Sequence, residues 1–244
     1  MYLALPAGAL MIYSVCAMRA LSELINTQDP AWPMVQELIA HAKNPVEVLP
    51  ADPVDREVAL HAIQVTTGST MGAIVYETGG LLIDHGWLRI LGSGHHRLTR
   101  SLASWNKGRT MFGDEKPPGY LLVADDAVGG FFAVNGGALG SQMGAVFYFA
   151  PDSCQWECLD FGYSQFIGWS LQGELAKFYE SLRWPGWEDE IATLEGDQAI
   201  FIFPFPATKG PPLEQRHHGV VPIAEMFGLY ISGDAAPEIP SRDS

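Results

Sequence analysis

The stretch GYLLVADDAVGGFFAVNGGALGSQMGAVFYFAPDS, residues 119–153, contains three short apolar runs, at 120–124, 131–134 and 145–149. Gly129-Gly130 and the Asn135-Gly136-Gly137 triplet separate these runs. Glycine and asparagine tolerate the positive φ of tight turns, and the runs are rich in β-branched and aromatic residues. The pattern predicts a three-stranded antiparallel meander.

The period changes in the following stretch, FGYSQFIGWSLQGELAKFYESLRW, residues 161–184. From Phe166 to Leu182 the apolar residues recur every three or four positions, which is typical of a helix with one apolar face. A sheet face and a helix face of this kind bury each other. The predicted fold class is therefore α+β, a mainly antiparallel sheet packed by helices.

The neighbouring side chains of Phe131 and Phe132 must point to opposite faces of their strand. One face is predicted to belong to the core, so the other face needs a second cover. Another helix and a partner-binding surface are both compatible with the sequence.

Outside this region, the chain is predicted to form a single domain over residues 18–232. The segment NPVEVLPADP, 44–53, contains three prolines, two of them flanking its apolar residues, and is predicted to be irregular, whereas Asp52-Pro53 fits the N-cap and first position of a helix. Residues 1–17 are an apolar extension without a basic start, and they are too short to span a bilayer comfortably. Residues 233–244 are predicted to be a disordered tail.

The charge of the chain is strongly acidic, with 28 acidic against 14 basic residues and a formal net charge of −14. This balance argues against nucleic-acid binding, which needs lysine and arginine to neutralise phosphates. It permits a basic protein partner. The chain has three cysteines, Cys16, Cys154 and Cys158. A disulfide framework needs more cysteines and an even number of them, so this usage predicts a reducing, cytoplasmic compartment.

Catalytic motifs are weak. Asp84, His85, His95 and His96 are suitable metal ligands or acid/base groups, but their spacing matches no known metal motif. Turns explain the glycine clusters. The sequence therefore predicts no catalytic residue, no metal and no cofactor, and a metal-dependent or acid/base enzyme that uses these four residues is the alternative.

The acidic residues nearest the meander, Asp125, Asp126 and Asp152, are the candidate contacts for a basic partner. Asp125 and Asp126 are adjacent on a strand and face opposite ways, so they make a poor acid/base pair. Capping of the turn before Gly129-Gly130 is the other interpretation of this pair. If the three residues lie on the surface, their replacement by asparagine should barely change stability.

Seven segments of the sequence carry a resemblance to a known family: NPVEVLP, QVTTGSTMGAIVYETGGLLIDHGWLRILGSG, SLASWN, LLVADDAVGGFFAVNGGALG, VFYFAPDS, FYESLRWPGW and VPIAE. Through them the chain resembles, across roughly 18–225, a bacterial family, the domain of unknown function numbered 2625.

More distantly, the order of segments resembles the SUKH superfamily, with Glu47 and Leu49-Pro50 in the turn that marks it. This resemblance implies a SUKH-like α+β fold without enzyme activity. It further implies an immunity-type protein that covers a toxin or partner surface, or an interaction module that has no toxin. The family supplies no functional residues.

Overall fold

The structure is a computed structural model, and it describes residues 18–111 and 119–232. The helices are α1 Leu21–Leu24, α2 Trp32–Ala40, α3 Pro53–Ile63, α4 Thr70–Glu77, α5 Leu102–Asn106, α6 Tyr163–Gln172, α7 Leu175–Phe178, α8 Trp187–Ile191 and α9 Ile223–Phe227. The strands are β1 Val46–Pro50, β2 Thr78–Ile83, β3 Leu88–Leu91, β4 Tyr120–Asp126, β5 Phe131–Asn135, β6 Ala145–Ala150, β7 Gln155–Gly162, β8 Gln198–Phe203 and β9 His217–Pro222. The predicted extension 1–17 and tail 233–244 lie outside the described residues.

The main sheet has seven strands, which lie side by side in chain order from β1 to β7. Every neighbouring pair is antiparallel. The predicted meander forms β4, β5 and β6, and helices pack on the sheet. The predicted fold class, α+β with a mainly antiparallel sheet, is confirmed.

Both faces of the sheet are covered by helices. The ring of Phe132 lies 4.9 Å from Phe166 of α6, between ring centroids. On the other face, Phe131 lies 5.4 Å from Phe227 of α9. Both phenylalanines are fully buried. The second cover that the sequence left open is therefore a helix in this part of the sheet.

The helix predicted between Phe166 and Leu182 is interrupted at Gly173. Here α6 ends, because Gly173 adopts an extended conformation and the Asn44 side chain binds the free carbonyls of the helix end. Asn44 Nδ2 donates to the carbonyl oxygens of Ser170 and Gly173 at 2.9 and 3.1 Å. Unsatisfied carbonyls at a helix end need such partners, and this one comes from a segment far away in sequence.

The segment around Pro45 and Pro50 was predicted to be irregular, and this prediction is wrong. It forms β1, which is an edge strand of the main sheet. Proline is tolerated in this position because an edge strand leaves one row of backbone groups unpaired. The predicted helix start directly after β1 is confirmed: Asp52 Oδ1 accepts hydrogen bonds from the N–H groups of Val54 and Asp55 at 2.8 and 3.2 Å.

A second, two-stranded sheet is formed by β8 and β9. It is joined to the main sheet where the N–H of Ile200 donates to the carbonyl of Ala127, in the turn after β4, at 2.7 Å. This junction places Gly196, Asp197 and Gln198 beside the Asp125 face of the main sheet.

Candidate functional site

Asp125 lies inside the molecule with no exposed surface. Its carboxylate binds two guanidinium groups: Arg89 Nε at 2.9 Å and Arg100 Nη1 at 2.5 Å. Arg89 is the direct neighbour of Asp125 across the β3–β4 pair. Arg100 reaches Asp125 from the loop before α5 and also binds Asp197 through Nε at 2.7 Å. We call Arg89, Arg100, Asp125 and Asp197 the buried ionic network.

The network joins the two sheets. Arg89 donates to the carbonyl oxygens of Gly196, Gln198 and Asp126, and Arg100 donates to Gly196 at 2.8 Å. Burial lowers the pKa of Arg89. Burial also acts to lower the pKa of Arg100, but the charge of Asp125 and hydrogen bonds to Asp125 and Asp197 outweigh it, so that pKa is raised. These contacts supply the partners that buried charges need and connect the two sheets.

Asp126 faces the opposite side of the sheet and is also fully buried. Its Oδ1 accepts hydrogen bonds from the N–H groups of Val128 and Gly130 at 3.0 and 2.8 Å, and Oδ2 accepts from Tyr148 Oη at 2.7 Å. Burial raises the pKa of Asp126 despite these bonds. Burial and the nearby Asp126 raise the pKa of Tyr148 well above its usual value. Asp126 caps the turn before β5, as one of the two interpretations predicted.

The surface role predicted for Asp125 and Asp126 is therefore wrong, because neither carboxylate reaches solvent. Asp152, the third candidate, lies in the turn between β6 and β7 and is half-exposed. Its Oδ2 accepts a hydrogen bond from Ser181 Oγ at 2.7 Å. A partner contact at Asp152 stays a prediction.

The four-residue cluster of the enzyme alternative is not assembled. Asp84 and His85 occupy the turn between β2 and β3, whereas His95 and His96 follow the far end of the same hairpin. Four paired residues separate the two ends, roughly 13 Å at about 3.3 Å per residue. Asp84 instead forms an ion pair with Arg183 at 2.5 Å.

A cleft of about 680 Å³ lies between the β1–α3 turn and the segment that follows β3. His95 and His96 line it together with Asp52 and Asp55. Burial and the neighbouring His96 lower the pKa of His95. Within residues 18–111 and 119–232, no three histidine, cysteine, aspartate or glutamate side chains are placed to hold a metal ion.

Strand β7, which was not predicted from the sequence, forms the outer edge of the main sheet. It carries exposed Glu157 and Asp160, and half-exposed Asp152 precedes it. We call these three residues and strand β7 the acidic edge. From residue 117 to residue 176 the sequence contains no lysine, arginine or histidine. The alternation of Trp156 and Cys158 with Gln155 and Glu157 after the Pro151 turn is the strand signal that the sequence offered.

The outer backbone of β7 has no strand beside it in the described part of the chain. Its backbone ladder runs to β6 alone, with an irregular register between Ala145 and Phe147. Asp160 has a positive φ of 57° and its N–H contacts Cys158 Sγ at 3.4 Å, so the strand bulges there. Half-buried Trp156 and Leu159 add apolar surface along the same strand.

Comparison with known proteins places the chain in a family. A family model described as protein of unknown function DUF2625 matches residues 21–226. The chain belongs to the DUF2625 family. It is 44% identical over 212 residues to YbfG of Escherichia coli strain K12, which covers 87% of this chain and 95% of that protein. It is 42% identical over 186 residues to an uncharacterized protein of Haemophilus influenzae strain Rd, covering 76% of this chain and 81% of the relative.

These comparisons confirm the resemblance to the numbered family and carry no statement of activity. The SUKH-like resemblance stays a prediction. Among the described helices of this DUF2625 member, none combines the length and apolar character that crossing a membrane requires.

Proposed function

We propose that this DUF2625 protein is a non-enzymatic, cytoplasmic binding domain that engages a basic protein through its acidic edge. The observation that carries the proposal is the combination of an outermost strand, β7, with charges of one sign: exposed Glu157 and Asp160 on the strand and half-exposed Asp152 before it. An immunity-type protein that covers a toxin domain would be one form of this function.

An edge strand offers a row of backbone donors and acceptors to an incoming strand, and such pairing supplies much of the affinity in strand-addition complexes. The half-buried Trp156 and Leu159 add the apolar contact area that interface centres contain. Both features favour a protein partner over a small molecule at this surface.

The acidic charges select among partners. A second copy of this chain would bring Glu157 and Asp160 against like charges, and charged side chains on an edge strand disfavour such self-pairing. A basic partner would instead be attracted, because complementary charge speeds diffusional encounter and excludes wrong partners.

The partner is to be captured by photo-crosslinking in living cells. A crosslinking amino acid replaces exposed Gln155 on β7, and a control carries it at exposed Gln36 on α2. A basic protein captured from β7 alone is the expected result.

Association of the purified partner is then measured by stopped flow at two ionic strengths. The pair Glu157→Gln with Asp160→Asn should slow association roughly tenfold at low salt, because it removes the steering charges. The charge-matched control, Glu37→Gln with Asp29→Asn, changes exposed residues of the N-terminal helical region and should leave the rate unchanged. A salt-independent on-rate, equal in both variants, would refute binding at the acidic edge.

The immunity-type form has its own test. Co-expression of this protein with the captured partner should protect cells from that partner if the partner is a toxin. A partner that is harmless when expressed alone would remove the immunity role and leave the binding function in place.

A further inference from the structure

A cavity of about 260 Å³ lies between α5 and the start of α9, away from the acidic edge. Thr99, Arg100, Ser104, Trp105, Arg109 and Asp197 line it, together with the first residues of α9 and Pro222 before them. We call the part formed by Arg100, Trp105 and Arg109 the arginine pocket.

Two guanidinium groups lie over the indole of Trp105. The Cζ atom of Arg109 is 3.9 Å from the ring centroid, and that of Arg100 is 4.5 Å away. Such stacking is a favourable cation–π arrangement. Two further contacts position Arg109: Nη1 donates to the Trp105 carbonyl at 3.1 Å, and the guanidinium lies 5.8 Å from the ring centroid of Phe227.

The two arginines differ in their counter-charges. Arg100 is neutralised by Asp125 and Asp197 in the buried ionic network. Arg109 forms no ion pair with any carboxylate of residues 18–111 and 119–232, and most of its five N–H donors remain available there. The Asp197 carboxylate faces the same cavity, but Arg100 and Thr99 engage both of its oxygens.

Trp105 supplies a second donor. Trp105 is only 2% exposed, and its indole N–H has no hydrogen-bond acceptor among residues 18–111 and 119–232. Buried polar groups are nearly always paired, and Trp105 is itself a lining residue of the cavity, so a ligand there could supply the acceptor that the indole N–H lacks. Burial and the neighbouring charge of Arg100 lower the pKa of Arg109, and the negative charge of a bound anion would act in the opposite direction.

We propose that the arginine pocket binds a small oxyanion, a carboxylate or a phosphate group, held by the guanidinium of Arg109 and the indole N–H of Trp105. The planar fork of arginine matches the two oxygens of such a group. The cavity is below the roughly 300–1,000 Å³ of pockets for drug-sized ligands, so the ligand is small or presents only its anionic end. This site is independent of the function proposed for the acidic edge.

The test follows the indole N–H signal of Trp105 by NMR in the full-length ¹⁵N-labelled protein, with Trp105→Phe to assign it. Sodium phosphate and sodium acetate are titrated separately at constant ionic strength, so that binding of a phosphate and binding of a carboxylate are measured independently. A saturable shift of this signal with at least one of the two anions is expected.

Arg109→Gln should weaken the binding by at least tenfold. Lys107→Gln, an equal charge change at an exposed residue two positions away, should leave it unchanged. Should Arg109→Gln fail to fold, Arg109→Lys replaces it, because lysine keeps the charge and loses the fork; a several-fold weaker affinity is then expected.

Three results would overturn the proposal. The indole signal does not move with either anion, as when a carboxylate of the chain itself already fills the pocket. The shift grows linearly without saturation and reports an adventitious ion only. The shift is the same in the wild type and in the arginine variants.

Discussion

Replacement of Asp125 by asparagine tests the role that the structure gives to the buried ionic network. The substitution keeps the size of the side chain and removes its charge. Asp197 is then the one carboxylate left in the network, and it contacts Arg100 but not Arg89. Arg89 would keep its hydrogen bonds to backbone carbonyls and lose its only ion pair among the described residues.

Removal of one partner from a buried ion pair costs about 3–5 kcal/mol, because the remaining charge stays buried without compensation. Unfolding free energies of natural domains are about 5–15 kcal/mol, so the loss is a large fraction of the total. For a domain of this length, 1 kcal/mol corresponds to about 2–4 °C, and the melting temperature should fall by roughly 6–20 °C.

The adjacent Asp126→Asn provides a matched control, since both residues are fully buried and receive the same chemical change. The asparagine oxygen at 126 can still accept the turn hydrogen bonds from Val128 and Gly130, and its amide can donate to Tyr148 Oη. We expect Asp126→Asn to change stability by less than about 1 kcal/mol at pH 7.

The assay is urea denaturation followed by circular dichroism, with the wild type and both variants at pH 7. Equal m-values would show that the wild type and the variants expose the same amount of surface on unfolding. If Asp125→Asn lost less than about 1 kcal/mol, or no more than Asp126→Asn, the network would not hold the sheets together and the reasoning would be refuted.

Three further results are expected. Burial raises the pKa of Asp126, so the folded state favours its protonated form, and this contribution to stability is lost as pH rises. The stability of Asp126→Asn relative to wild type should therefore increase in denaturation curves as pH rises above about 4, the ordinary pKa of an aspartate, and a constant difference would contradict this. The side chain of buried Asn106 accepts a hydrogen bond from the N–H of Leu122 at 2.9 Å and donates one to the Leu122 carbonyl at 2.8 Å. Asn106→Leu should lower the unfolding free energy by about 3 kcal/mol in the same assay, and a neutral effect would show that the Leu122 groups find other partners. Half-buried Phe178 packs edge-on against Trp169, with the ring centroids 4.8 Å apart. Phe178→Ala should lower the unfolding free energy by about 3 kcal/mol, and a loss below about 1 kcal/mol would contradict this packing.

The sequence predicted the features that depend on neighbours along the chain. The meander followed from apolar runs separated by glycine turns, and the start of α3 followed from Asp52-Pro53. The turn interpretation of Asp126 was within reach of the sequence, because the N–H groups that donate to its carboxylate belong to Val128 and Gly130, within four residues along the chain.

The features that the sequence did not predict depend on residues far apart in the chain. From the sequence, Asp125 was predicted to lie on the surface like Asp152, because no residue near Asp125 in the chain indicates that it is buried. It is buried by Arg89, Arg100 and the residues before β8, which are distant in sequence. For the same reason the interruption at Gly173 was missed, since the capping side chain is Asn44. Strand β7 was missed because its alternation is short and is broken by the bulge at Asp160.

The buried ionic network also sets an order of events during synthesis of the protein. Arg89, Arg100 and Asp125 leave the ribosome well before Asp197 and the carbonyls of Gly196 and Gln198, which follow about seventy residues later. At about 5–20 residues per second, this interval lasts roughly 4–14 seconds. For that time the nascent main sheet carries two arginines that still lack part of their partners, so the native arrangement around them becomes available only when β8 has emerged.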